Sequence, residues 1–238
     1  GLILVQNRYV SRFQLHKTLA RQSVLRATAG FMLYMMSCTS FGTKQAKADY
    51  ITDVPAKISI SASAHFSQAA AYPAIFGSEE KRSKDLKAFT KWTEMFDRFD
   101  SELKTANAQS AIRGWTQKLK KFEGMPLKTM ADKVNEFVNE SRYITDSKNW
   151  GKSDYWATPV EFIKRGGDCE DFAIAKYTAL RALGVPESRL RIAIVHDNVK
   201  NIPHAILVVY TEQGAYLLDN QEKSMQNAES FKRYRPIF

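Results

Sequence analysis

Gly166-Gly167-Asp168-Cys169-Glu170-Asp171-Phe172-Ala173 reads as the start of a helix with a cysteine in its first turn. Beyond it Phe172, Ala173, Lys176, Ala179, Leu180 and Leu183 recur at helical spacing, and Gly184 followed by Pro186 supplies a stop. The unpaired N–H groups and the dipole at a helix start favour a thiolate there. Cysteine is commonly a small buried hydrophobe. Asp168, Glu170 and Asp171 around Cys169 weaken that reading and point to a reactive group.

The first 48 residues read as a leader: basic Arg21 and Arg26, an apolar run from Ala27 to about Met36, then Ala46-Lys47-Ala48 as a small-x-small cleavage signal. Cleavage is expected after Ala48. The run is short and interrupted by Ser37, Thr39 and Ser40 for a membrane-spanning helix, and an uncleaved anchor is the alternative. Taking seven basic residues with the leader leaves 28 of the 35 against 25 acidic, so the formal charge drops from +10 to +3. The basic character therefore belongs mostly to the leader and does not argue for nucleic acid. Lys118-Leu119-Lys120-Lys121 reads as a solvated helix face. Cys38 also leaves with the leader, and Cys169 is then alone, unable to form an intramolecular disulfide.

The remainder suits one domain with a sizeable core. Residues 49–84 read as a loosely structured lead-in, with a short strand near Ile58 and Ile60, and 85–238 as the working domain. Leu86, Phe89, Trp92, Phe96 and Phe99 form a helical stripe that reads as core. Further helices are predicted near 108–122 and 127–142, the second with Leu127, Met130, Val134, Phe137 and Val138 on one side. Thr158-Pro159-Val160-Glu161 matches a capping box with proline at the first helical position, so a short helix should end at Gly166. Strands are predicted over 190–195, 204–210 and 215–218, with Glu212-Gln213-Gly214 as a turn. Helices first and antiparallel sheet second argue for an α+β domain with the cysteine helix packed on the sheet.

A thiol nucleophile needs a base within hydrogen-bond reach, and the base needs a third group to orient it. A four-residue hairpin loop over 211–214 would pair Tyr210 with Ala215 and Ile206 with Asp219, placing Asp219 on the same face as His204 and diagonal to it. Cys169, His204 and Asp219 are therefore the candidate triad. His196, followed by Asp197, is the rival base, at a strand end where a solvated polar residue needs no explanation.

The acidic residues read two ways. Asp168 and Asp171 make an ordinary helix cap. Yet anions beside Cys169 oppose thiolate formation, and a hard cation such as calcium held by Asp168, Glu170 and Asp171 would cancel their charge. The residues alone leave this open, and the pattern is not an EF-hand loop.

Trp150-Gly151, Asp154-Tyr155-Trp156-Ala157-Thr158-Pro159, the run from Gly166 to Tyr177, His204, and Leu218-Asp219-Asn220 together resemble the bacterial transglutaminase-like cysteine proteinases, most of all the LapG type. The likeness spans roughly residues 85–225, and Arg165 departs from it where a third glycine is common. The resemblance implies a papain-like, transglutaminase-like core in which Cys169 attacks a peptide carbonyl, His204 moves the proton and Asp219 orients the imidazole. It also implies calcium at Asp168, Glu170 and Asp171, a periplasmic location, and a large surface adhesin as substrate, cut near its N-terminus at a di-alanine to release cells from a biofilm. The implied partner is an inner-membrane cyclic-diguanylate receptor that sequesters the protease. Two rivals remain: a transglutaminase or amidase using the same triad, and a non-catalytic calcium-binding module.

Overall fold

The computed structural model describes residues 3–4, 74–78, 81–82 and 90–237. The leader's basic, apolar and cleavage segments, the strand expected near Ile58 and Ile60, and the beginning of the aromatic stripe at Leu86 and Phe89 lie outside the described residues. Among the described residues no helix is long and apolar enough to cross a membrane.

Helices come first. The aromatic stripe forms α1 (Thr90–Glu102), which buries Trp92, Met95, Phe96 and Phe99. Thr105 caps α2 (Ala106–Leu119), its hydroxyl accepting the Ala108 N–H, and a 3-10 turn over Lys120–Phe122 continues it. The lysines of this region face solvent while Leu119 is buried, as a solvated face requires. Helix α3 (Leu127–Asn139) buries Leu127, Met130, Val134 and Val138, and half-buried Phe137 packs on Trp115 and Phe122. It stops three residues short of its expected end. A single turn, α4 (Asp146–Asn149), precedes α5 (Pro159–Arg165), whose expected capping box is present: Thr158 and Glu161 each accept the other's backbone N–H, at 3.1 and 2.7 Å.

Helix α6 (Cys169–Ala182) is the centre of the fold. Its sequence spacing suggested one apolar stripe, but 11 of its 14 residues are buried, which makes it a helix enclosed on all sides. Five antiparallel strands follow: β1 (Leu190–Asp197), β2 (Ile202–Thr211), β3 (Gly214–Leu218), β4 (Gln226–Asn227) and β5 (Tyr234–Pro236), in the order β4-β3-β2-β1-β5. Helix α6 packs against β2 and α3. The β2–β3 register pairs Tyr210 with Ala215 as expected, but pairing runs on to Thr211 and Gly214, so the loop is the two residues Glu212 and Gln213. From the expected lead-in, Ile75 is 2 % exposed and joins Val195, Ile206, Val208 and Leu217 in the sheet's core.

Lys176, seven residues after Cys169, is fully buried on α6, and its ammonium has no hydrogen-bond partner; the nearest aromatic face is Phe172, at 5.8 Å. Burial lowers its pKa to about 7, opposed in part by the charge of Asp219. Between about pH 7 and the ordinary lysine value of about 10.4, the unfolded chain holds the extra proton, so stability rises with pH there; below that window the cost of burying the charge is complete. Lys176→Met is expected to raise Tm at neutral pH and to flatten the rise toward alkaline pH. Thermal melts across that window check this, and a lower Tm at pH 7 would contradict it.

Candidate active site

The site begins with two glycines. Gly166 ends α5 with φ of 77°, where a side chain is strained and a Cβ would collide with the Arg142 carbonyl oxygen. A Cβ on Gly167 would strike the Asp171 carboxylate. Both approaches are used. The Gly167 N–H donates to Arg142 O at 3.3 Å and Ile144 N–H donates to Gly167 O at 2.9 Å, so the 142–144 segment lies beside the chain just before Cys169. Arg165, where a glycine was the common choice, is the last helical residue, with its guanidinium 4.8 Å over the Trp150 ring. Tyr143, 55 % exposed, stacks on Phe172 and borders the cysteine.

Cys169 opens α6 and is a free thiol. Its sulfur accepts the backbone N–H of Ala205, the residue after His204, which sets the nucleophile against β2 beside the candidate base. The thiol donates to Glu170 Oε2 at 3.2 Å. Burial first, and then the charge of Glu170, push the thiol's pKa well up, beyond what the Ala205 N–H offsets. The helix start alone would favour a thiolate, so burial, with the neighbouring carboxylates behind it, outweighs the helix start in this arrangement.

His204 is 3 % exposed, and its Nε2 donates to Asp219 Oδ1 at 2.8 Å. This bond leaves Nδ1 as the basic nitrogen. Asp219 follows β3 directly, and the observed register places it where the hairpin argument predicted. Burial pushes its carboxyl up, but hydrogen bonds from His204, Tyr234 and the Gln221 N–H together hold it below the ordinary carboxylate value. Asn139 of α3 anchors the Asp219 carbonyl at 2.9 Å. His196 stands elsewhere. Val195 pairs with His204 and shares its face, so His196 projects from the other face of β1, and its Nε2 bonds Asn201 Oδ1 at 3.0 Å across the β1–β2 turn.

The acidic residues sort differently from their order in the chain. Asp168 and Asp171 meet Asp146 of α4, with one carboxylate oxygen from each lying within 4.8 Å of the others. Glu170 turns toward the sulfur and forms a second grouping with Asp146 and Asp154. Asp171 accepts the Ala157 N–H at 2.7 Å and the Asp168 N–H at 3.2 Å, and Asp146 accepts the Tyr155 N–H. Asp146 Oδ1 and Asp168 Oδ1 are buried without partners. Burial, and then the charges of Asp168 and Asp146, raise Asp171 to about 8, and burial raises Asp146 as well. Converging carboxylates with unpartnered buried oxygens are a donor set that fits a hard cation. Asp146, Asn139, Gln221 and Tyr234 escaped the sequence reading. Asp146 follows Thr145 as an ordinary helix start, and the other three carry no local signal at all.

Residues 92–235 match the model of the bacterial transglutaminase-like cysteine proteinases. The chain belongs to that family and is a cysteine peptidase with an α+β, papain-like fold. It is similar to LapG of Legionella pneumophila, solved in EGTA-treated and calcium-bound forms: identity is 33 %, the match covers 58 % and 59 % of this chain and 79 % and 81 % of those chains, and the TM-score is 0.49 for each. A putative cysteine protease from Cytophaga hutchinsonii matches at 16 % identity over 52 % of this chain and 46 % of its own, with a TM-score of 0.36. No curated protein matches.

The two histidines can be separated without a substrate. His204→Ala is expected to slow alkylation of Cys169 by iodoacetamide at neutral pH by about a hundredfold, the usual scale of a lost general base. His196→Ala should leave the rate unchanged. Equal rates in both variants would remove His204 from the site.

Proposed function

We propose that this protein is a calcium-dependent endopeptidase that cuts a large surface adhesin near its N-terminus, at a di-alanine, in the periplasm, so that cells are released from a biofilm. The observation that carries the peptidase chemistry is the buried His204–Asp219 hydrogen bond lying beside a cysteine at the first position of a helix. His204 Nδ1 takes the Cys169 proton, and the sulfur attacks the peptide carbonyl. The Cys169 N–H, unpaired at the first helical position, is a donor for the oxyanion. Asp219 holds the imidazolium in place as it returns its proton to the leaving amine. His204 then draws a proton from water, which hydrolyses the thioester and frees Cys169.

Asp146, Asp168 and Asp171 are residues that would hold calcium; Glu170 of the expected set stands in the second acidic grouping, with Asp146 and Asp154, and Asp146, common to both, is the candidate the sequence reading lacked. Bound calcium supplies positive charge that offsets the carboxylates around the nucleophile. One oxygen of Glu170, Oε2, also accepts the thiol. Exposed Tyr143 beside Cys169 is a wall against which a small-residue peptide segment fits. An inner-membrane cyclic-diguanylate receptor that sequesters the protease completes the proposal and rests on the family resemblance alone.

The test incubates the purified protein with a di-alanine-containing adhesin fragment and a primary amine, with and without a calcium chelator, followed by mass spectrometry. Two new peptides that vanish on chelation are expected. An intact substrate carrying the amine would make the protein a transferase. Cys169→Ala should abolish turnover yet retain calcium in calorimetry, whereas Asp146→Ala should lose calcium binding. Retained binding in Asp146→Ala would reject this ligand set.

A further inference from the structure

We propose that Tyr234, on the last strand of the chain, is a positioning residue for the reaction: it holds the Asp219 carboxylate so that Oδ1 faces His204. This inference rests on the Cys169–His204–Asp219 reading above and deepens it. Asp219 is 1 % exposed, so each of its oxygens needs a donor from the protein. Oδ1 receives two, the His204 Nε2–H at 2.8 Å and the Gln221 backbone N–H at 2.9 Å. Oδ2 receives the Tyr234 hydroxyl. A carboxylate held at one oxygen only can turn about its last torsion and carry Oδ1 away from the imidazole. Held at both, it cannot.

Tyr234 suits this role because it is itself fixed. It is 4 % exposed, lies opposite Asp197 in the β1–β5 pairing, and packs its ring 5.0 Å from Phe231 and 5.6 Å from the His204 ring. Burial and the charge of Asp219 push its hydroxyl far above the ordinary tyrosine value, so it remains a donor at any working pH. The residue before it braces the other side of the histidine. Arg233 grips both oxygens of Asp197, at 3.0 and 2.6 Å, and donates to Gln221 Oε1 at 2.6 Å. That bond turns the Gln221 amide nitrogen toward the His204 ring, 3.2 Å from Nδ1 and 3.1 Å from Nε2. Lys176 of α6 is a further charged group acting with Asp219. Two consecutive residues near the C-terminus thus steady a base and an orienter carried on β2 and beyond β3.

The experiment compares wild type, Tyr234→Phe, Asp219→Asn and the double variant in steady-state cleavage of the adhesin fragment. Tyr234→Phe deletes one oxygen and keeps the ring. The expected result is a kcat about tenfold lower with KM unchanged, in keeping with one lost hydrogen bond to a charged group, and a double variant no slower than Asp219→Asn alone. A kcat within about twofold of wild type, losses that multiply in the double variant, or a matching change in KM would overturn the proposal. A second readout needs no turnover: the downfield imidazole N–H proton of the His204–Asp219 bond, recorded in Cys169→Ala, should shift when Tyr234→Phe is added. An unmoved resonance overturns the proposal as well. Full activity in Asp219→Asn would sink the triad reading itself, whereas a crippled Asp219→Asn with an unimpaired Tyr234→Phe rejects only the role of Tyr234.

Discussion

Close approach at Gly166-Gly167 is the constraint on which the rest of the site depends. Without side chains there, the 142–144 segment bonds directly to the chain before Cys169, and the Asp171 carboxylate folds back over Gly167 to the Asp168 N–H. These contacts fix the direction in which α6 leaves the turn, and so the place of Cys169 against β2. A helix buried on all sides holds that position firmly, since truncating a large apolar side chain in such a setting costs roughly 2–5 kcal/mol. The same approach brings α4 beside the start of α6 and delivers Asp146 to Asp168 and Asp171. Nucleophile and acidic cluster are therefore two products of one turn.

The electrostatics of the region run against stability. Carboxylates gather where burial already opposes their charge, and Lys176 sits unpaired inside the same helix. Groups of this kind gather where chemistry is done, because a fold that needed only stability would replace them with apolar residues. Asp219 is the exception. Its burial is outweighed by donors at both oxygens, so it stays charged while its neighbours across α6 are driven toward neutrality. That contrast suits a carboxylate whose task is to hold an imidazolium.

Much of this was readable from local patterns. Apolar spacing located the helices, the Thr158 and Glu161 reciprocity marked the start of α5, and the hairpin register placed Asp219 near His204 from residue counting alone. The misses share a physical origin. The hairpin loop is two residues rather than four because Thr211 and Gly214 still pair, and a pairing at a strand end leaves little trace in composition. Asp146 went unread because it lies 22 residues before Asp168 in the chain, on a separate helical turn, and only packing brings it among the carboxylates at the start of α6.

The amino-acid sequence by itself determined the order of elements, the nucleophile at a helix start and the pairing of His204 with Asp219. Each of these depends on residues close in the chain or on one hairpin's register. Tertiary structure alone decided which carboxylates converge, that Cys169 comes against β2 at Ala205, and that Tyr234 closes on Asp219 from the far edge of the sheet. Those outcomes depend on how distant elements pack, and packing direction is set by the summed burial of many side chains rather than by any short motif.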